Sequence, residues 1–492
     1  MESKRRTAWT RVVTASFIAS ASLVVAGRHV QAQELAKPNP EVQELREKLQ
    51  RLEQTVLELK KQLSAMEQPR IAPAVATSTQ PAAVATTAPV APSVSSPSAA
   101  PPVVQPVETT RTSQDKQGES TFNVYGFAML DFGYQFRQNH PDWFDVIRPT
   151  KLPSFGGEFA PNGKVYSGVR QSRLGVKSST PTSWGELKTQ FEFELFGTGV
   201  DAGQTTFRLR HAYGELGPVG AGQYWSPFMD IDVFPNSIEY WGPNGMVFFR
   251  NVQFRWMPLK GRNAVTIALE RPGASGDQGV FQDRIELQGI RGKFDLPDLS
   301  GHLRLNRDWG HVQFAGMVRR IKWVDTNSDQ FNLSGSDVGW GATVSSNYKF
   351  TPNDIGRFQF IYGEGVQNYM NDAPVDVGIQ IENPADPVRP IRGVALPVLG
   401  VVSFLDHNWN KKFSTSIGYS MVNIENSSGQ AANAYHRGHY ALTNLLFTPV
   451  DNVMIGGEFQ WGRRENWRDG FASDDYRIQF SFRYNFSKVF SF

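Results

Sequence analysis

The chain has 492 residues, among them 44 glycines, 12 tryptophans and no cysteine. Without cysteine there is no disulfide framework, thiolate metal site or cysteine nucleophile. Past the N-terminus no apolar run of about eighteen residues occurs, which excludes a bundle of spanning helices but not a membrane barrel, whose strands show only alternate residues to lipid.

Residues 1–32 place Lys4, Arg5 and Arg6 before an apolar stretch from Val12 to Ala26 and a small-residue site at Val30, Gln31 and Ala32. That order predicts a secretory signal peptide, since the apolar stretch is too short to span a bilayer. The segment holds five of the 50 basic residues and one of the 47 acids, leaving 45 against 46. The mature chain is therefore nearly neutral, and neither nucleic acid nor an acidic membrane surface is implied as a partner.

Over residues 33–68 a heptad pattern follows: Val42, Leu45, Leu49, Leu52, Val56, Leu59, Leu63 and Met66 are spaced alternately by three and four. Such a narrow stripe predicts a periplasmic coiled coil rather than a helix lying on another surface. Glu41 and Lys48 at g positions can reach Arg46 and Glu53 at e positions, which favours parallel self-association. Valine and leucine mixed at the a positions do not choose between two strands and three. Residues 69–118 are Pro, Ala, Val, Thr and Ser with almost no aromatics, a linker composition that cannot bury enough surface to offset ordering.

From residue 119 the period changes to two. Near the C-terminus Tyr476, Ile478, Phe480, Phe482, Tyr484 and Phe486 alternate with Arg477, Gln479, Ser481, Arg483 and Asn485. Phe122, Val124, Leu130, Phe132, Tyr134 and Phe136 share one face, as do Leu187, Phe191, Phe193 and Leu195 opposite Glu186, Lys188, Gln190, Glu192 and Glu194. A third such face sets Phe207, Leu209 and Tyr213 against Arg208 and Arg210. Short turns such as Thr351-Pro352-Asn353-Asp354 alternate with long loops such as 366–393. Together these predict an all-β transmembrane antiparallel barrel of about sixteen strands over residues 119–492, in the outer membrane and in contact with its lipid. A soluble sandwich would need a second covering sheet, and a propeller would show an internal repeat of about forty to fifty residues, which is missing. The terminal Phe492, preceded by alternate aromatics, resembles the C-terminal signature that the barrel-assembly machinery reads.

Three long motifs carry a closer resemblance. They are Phe207-Arg-Leu-Arg-His-Ala-Tyr-Gly-Glu-Leu, then Gly222-Gln-Tyr-Trp-Ser-Pro-Phe-Met-Asp-Ile-Asp-Val-Phe-Pro, then Glu239-Tyr-Trp-Gly-Pro-Asn-Gly-Met-Val-Phe-Phe-Arg-Asn-Val-Gln-Phe-Arg-Trp. Over residues 121–492 the chain resembles the DcaP-like porin family. The resemblance implies a homotrimer of sixteen-stranded porins with an N-terminal periplasmic coiled coil, and diffusive uptake of small organic acids, dicarboxylates among them. The segment Gln171-Ser-Arg-Leu-Gly-Val-Lys is similar to a strand of general porins.

In a pore the informative residues are charges whose parity sends them to the lumen. Arg173, Arg208, Arg210, Arg255, Arg304, Arg357, Arg477 and Arg483 qualify, and a guanidinium stays charged and offers a planar fork to a carboxylate. As a set they raise the local concentration of small anionic solutes. The alternative is that they pair with Glu186, Glu192, Glu194 and Glu458 to satisfy a polar interior. The segment from Ser226 to Asn244 is similar in position to the loop that general porins fold inward, and it carries Asp230, Asp232 and Glu239. Opposed to Arg208 and Arg210, those acids would set a transverse field at a constriction. The alternatives for this segment are an external loop or a subunit contact.

No enzyme is expected: no Gly-x-Ser-x-Gly occurs, the histidines fall near no catalytic constellation, and no cofactor or metal motif is present. The rival function is an outer-membrane tether or adhesin contacting the cell wall through the coiled coil, with a plugged barrel.

Overall fold

The structure, a computed structural model, describes residues 119–492; the expected signal peptide, coiled coil and linker lie outside the described residues. Alternating apolar and polar residues form sixteen barrel strands. They are β1 (Thr121–Gln135), β2 (Arg173–Thr182), β3 (Gly185–Phe196), β4 (Thr205–Leu216), β5 (Val219–Trp225), β6 (Arg250–Leu259), β7 (Asn263–Glu270) and β8 (Asp298–Arg307). The second half comprises β9 (Gly310–Asp325), β10 (Gly335–Lys349), β11 (Asp354–Glu364), β12 (Pro397–Asn408), β13 (Phe413–Ile424), β14 (Tyr435–Phe447), β15 (Val453–Asn466) and β16 (Ala472–Ser491). Each pairs antiparallel with its neighbours, and β16 returns to β1 with Thr121 opposite Ser491 and Gln135 opposite Arg477. Closure leaves no free strand edge, the condition for a sheet to sit in lipid.

The links alternate in length. At one end they are short, as at 183–184, 217–218, 308–309 and 350–353. At the other end they run long, and the expected loop at 366–393 carries a hairpin of Val377–Ile381 with Ile391–Ala395. Two further short strands prolong the wall: Lys164–Gly168 pairs with the far half of β1, and Ile290–Gly292 with the far end of β9. Ser120 and Phe492 exchange backbone hydrogen bonds of 3.0 and 3.1 Å, so the described chain begins and ends at the short-turn end.

The outer face is apolar between two aromatic girdles. Phe413 with Phe447, Tyr348 with Phe350, and Trp309 with Tyr348 lie toward the short turns, at ring separations of 4.7, 5.1 and 5.2 Å. Tyr134 with Phe136 and Trp340 with Tyr362 lie toward the long loops, at 5.0 and 5.9 Å. Aromatic rings suit the boundary between hydrocarbon and headgroups.

One face assignment is corrected. Tyr213 does not share the outer face with Phe207 and Leu209, because a register shift where β3 pairs with β4 sets Glu192 opposite His211 but Phe193 opposite Leu209. The extra residue of this bulge turns His211 and Tyr213 inward, and both are buried. Simple parity counting fails across a bulge.

Candidate pore constriction

The long segment 226–249 after β5 folds into the barrel and crosses it. Near its start Asp230 reaches the wall at β9 and β10; farther on, Ser237 Oγ and Ile238 N–H donate to the Glu458 carboxylate of β15, each at 3.0 Å. The Ile238 carbonyl accepts from Gln171 at 3.0 Å and from Gln479 of β16 at 2.9 Å. Gly245 N–H donates to Ser420 Oγ at 2.9 Å, and a Cβ at Gly245 would overlap the Met421 carbonyl oxygen, so only glycine lets the loop backbone lie directly on β13.

A second segment, from the loop after β11, joins it inside. Phe248 N–H donates to the Tyr369 carbonyl at 2.9 Å and Asn371 N–H to the Met246 carbonyl at 2.8 Å. Arg148, from the loop after β1, is held between the rings of Trp143 and Trp241 at 4.2 and 3.8 Å and bonds Asp372 at 2.9 Å. The aromatics of the inward loop thus form a packed inner layer; Phe228, Phe234, Tyr240 and Trp241 are all buried.

Arg173, Arg208 and Arg210 meet at one place. β3 presents Glu192 and Glu194 between them. Arg210 bonds Glu192 at 2.5 Å and Glu194 at 2.7 Å; Arg173 reaches Glu194 at 3.2 Å and Glu192 at 3.7 Å; Arg208 reaches Glu194 at 2.7 Å. Arg250, the first residue of β6, lies 3.8 Å from Glu194. Tyr240 of the inward loop donates its hydroxyl to Glu194 and accepts from Arg208 at 2.9 Å, which ties the loop to the basic wall. Four guanidiniums surround two carboxylates, so the cluster keeps a surplus of positive charge. Arg173 and Arg210 have side chains only 1% exposed, whereas Arg208 is 14% exposed and is the member open to solvent.

Arg255 stands apart. It donates to Gln253 at 3.1 and 2.8 Å and to the Trp225 carbonyl, packs over Tyr213 and Tyr224, and among the described residues forms no ion pair.

The loop acids do not pair with Arg208 or Arg210; each has a cation on another part of the wall. Asp230 bonds His311 at 2.6 Å and Arg304 at 3.1 Å and accepts from Ser345 at 2.7 Å. Asp232 pairs with Arg304. Glu239 accepts from Ile147 N–H at 3.1 Å, from Gly242 N–H, and from Tyr440 at 3.3 Å, with Arg477 of β16 at 3.4 Å. The resemblance in position to an inward loop set these acids opposite Arg208 and Arg210, but could not say which pairs the loop path would bring into contact. Asp230, Asp232 and His311 place one ligand atom each within 4.8 Å of one another, a possible cation set. Arg304 already bonds both carboxylates, so the trio reads as an ion-paired anchor of the loop.

Arg250 and Arg148 were missed by the alternation argument. Arg250 has the parity opposite to Asn251 and Arg255, yet it turns inward because the chain leaves the inward loop at that residue. Arg148 lies in a loop, where alternation carries no signal.

The family profile described as DcaP outer membrane protein matches residues 160–486. The crystal structure of the outer-membrane channel DcaP of Acinetobacter baumannii is similar at a TM-score of 0.63 and 19% identity, covering 75% of this chain and 98% of that one. An anion-selective porin from Comamonas acidovorans aligns at a TM-score of 0.48 and 11% identity, covering 75% of this chain and 100% of that one. No curated protein sequence matches.

Proposed function

Because the chain belongs to the DcaP outer membrane protein family, an outer-membrane channel fold, we propose that it passes small hydrophilic anions by diffusion, dicarboxylates among them. The observation that carries this reading is the surplus of guanidinium over carboxylate where the inward loop meets β2, β3, β4 and β6. In a water-filled lumen such a surplus raises local anion concentration, and its planar donors suit carboxylate oxygens. Arg208 is the group that meets the solute, Arg173 and Arg210 hold the surrounding charge, and Arg255 adds an unneutralised guanidinium on the same wall. Asp230, Asp232 and Glu239 serve the same site by fixing the loop against Arg304, His311 and Arg477.

In this reading residues 1–32 direct export, residues 33–68 form the periplasmic coiled coil of a homotrimer, and residues 69–118 link it to the barrel. The long loops face outward, and Phe492 addresses the chain to the assembly machinery. Conductance of the full chain in a planar bilayer is the test. An anion-directed reversal potential in asymmetric potassium chloride, with block by dicarboxylates but not by neutral sugars, supports the proposal. A silent barrel identifies the plugged tether instead.

A further inference from the structure

The outer face of the barrel carries a second basic cluster that the pore does not use. On β9 the buried Arg319 points inward to Asp298 and Asp376, so Arg320 and Lys322 point outward. They are two residues apart on one face, about 7 Å. The short strand Ile290–Gly292 sets Arg291 opposite Val324, and Lys293 N–H continues the ladder by donating to the Lys322 carbonyl at 2.8 Å, which adds two cations beside the first two.

Among the described residues one carboxylate pairs with any of the four. Asp295 bonds Lys322 at 2.9 Å and lies 3.8 Å from Arg320. The hydrogen bond from Lys322 holds that carboxyl below its ordinary range, so it stays charged and committed. Arg291 bonds only the backbone carbonyls of Gln288 and Ile290, and Lys293 forms no ion pair among the described residues. Arg320 remains 43% exposed.

The height of the cluster is set by its neighbours. Val318, one outward position below Arg320, pairs with Trp340, whose ring meets Tyr362 in the girdle at the long-loop end. The charges therefore lie just beyond the apolar band, at headgroup level. A comparison within the molecule removes the simplest explanation, that any outward strand end collects charge. On β14, β15 and β16, just past Trp461 and Tyr476, Arg437 and Arg463 are matched by Glu465 and Asp474, with Arg463 at 2.9 and 3.0 Å from its partners. That cluster is balanced; the one on β9 is not.

We propose that Arg291, Lys293, Arg320 and Lys322 hold the phosphorylated headgroup of an outer-leaflet glycolipid, its acyl chains lying against Val318, Trp340 and Tyr362. Two phosphates of a disaccharide headgroup match a patch of four cations and one acid in charge, and the girdle below supplies the apolar contact. The site is on the lipid side of the wall, so it is separate from solute passage.

The experiment compares the full chain with the variant R291Q/K293Q/R320Q/K322Q, each in detergent with EDTA present, by native mass spectrometry with added diphosphoryl lipid A. A control variant, R437Q/E465Q, alters the balanced cluster. Planar-bilayer conductance of every sample reports on the pore independently. The expected result is lipid adducts on the full chain and control, with apparent affinity at least about tenfold lower in the quadruple variant, as four surface cations near a membrane would contribute. Dephosphorylated lipid should bind as weakly as the variant does, and millimolar inorganic phosphate should not displace the intact lipid. Equal lipid binding by a quadruple variant that still conducts would overturn the proposal, as would binding that survives dephosphorylation. A change of oligomeric state in that variant would overturn it too, by showing the patch to be a contact between copies of this chain.

Discussion

Arg208 and Arg210 are two apart in sequence, yet they hold different positions. Arg210 is enclosed and bonds both Glu192 and Glu194, whereas Arg208 keeps part of its guanidinium in solvent beside Tyr240. Arg208→Ala should therefore lower the anion preference of the pore with little cost to folding, by about 1 kcal/mol, or up to about fivefold in the permeability ratio. The readout is the reversal potential at low salt, where screening is least. Arg210→Ala should instead act on stability, because it removes the buried guanidinium that bonds both Glu192 and Glu194 and leaves Glu192 with Arg173 at 3.7 Å, a loss of up to about 3 kcal/mol. A lower temperature of heat modification in SDS checks that. If Arg208→Ala left both reversal potential and dicarboxylate block unchanged, Arg208 would be a satisfied wall residue.

At the scale of the element, the loop 226–249 is expected to set the width of the lumen; its docking rests on close backbone approach at Gly245 and on the Glu458 carboxylate. Gly245→Val should push the loop off β13 and raise single-channel conductance, with the barrel itself intact by heat modification. Unchanged conductance would mean that another inward segment sets the width. The closing strand β16 makes a different prediction. Phe492 is 76% exposed and adds two backbone bonds to Ser120, so it contributes little packing. Phe492→Asp should slow arrival in the outer membrane while leaving the conductance of assembled channels as before. Normal arrival kinetics, followed by pulse labelling, would remove Phe492 from the assembly signal.

At the scale of the whole molecule, β1 begins at Thr121 and closes against the last strand, so the sixteen strands of the wall all lie within the described residues. Deleting residues 33–118 should leave a heat-modifiable, conducting barrel, measured by SDS gel shift and bilayer recording. Loss of the folded species would show that the N-terminal region is needed for the barrel to form.

The closed all-β barrel, its sixteen strands and the sidedness of Leu187, Phe191 and Phe193 against Glu192 and Glu194 were legible in the chain, because a spanning strand must alternate and lipid tolerates no unpaired backbone edge. The segment after the fifth strand was expected to fold inward only from its resemblance in position to the loop of general porins, with an external loop or a subunit contact left open. The partners within that loop were not legible. Asp230 meets His311 across 81 residues and Glu239 meets Arg477 across 238, and no local spacing encodes such distances. The inward turn of Tyr213 and Arg250 was hidden for a related reason: a bulge or a strand end breaks the two-residue period on which the reading depends. Alternation along each strand therefore determined which residues face lipid and which turn inward, while the path of the folded loop decided which inward charges pair and that Arg208 keeps part of its side chain exposed.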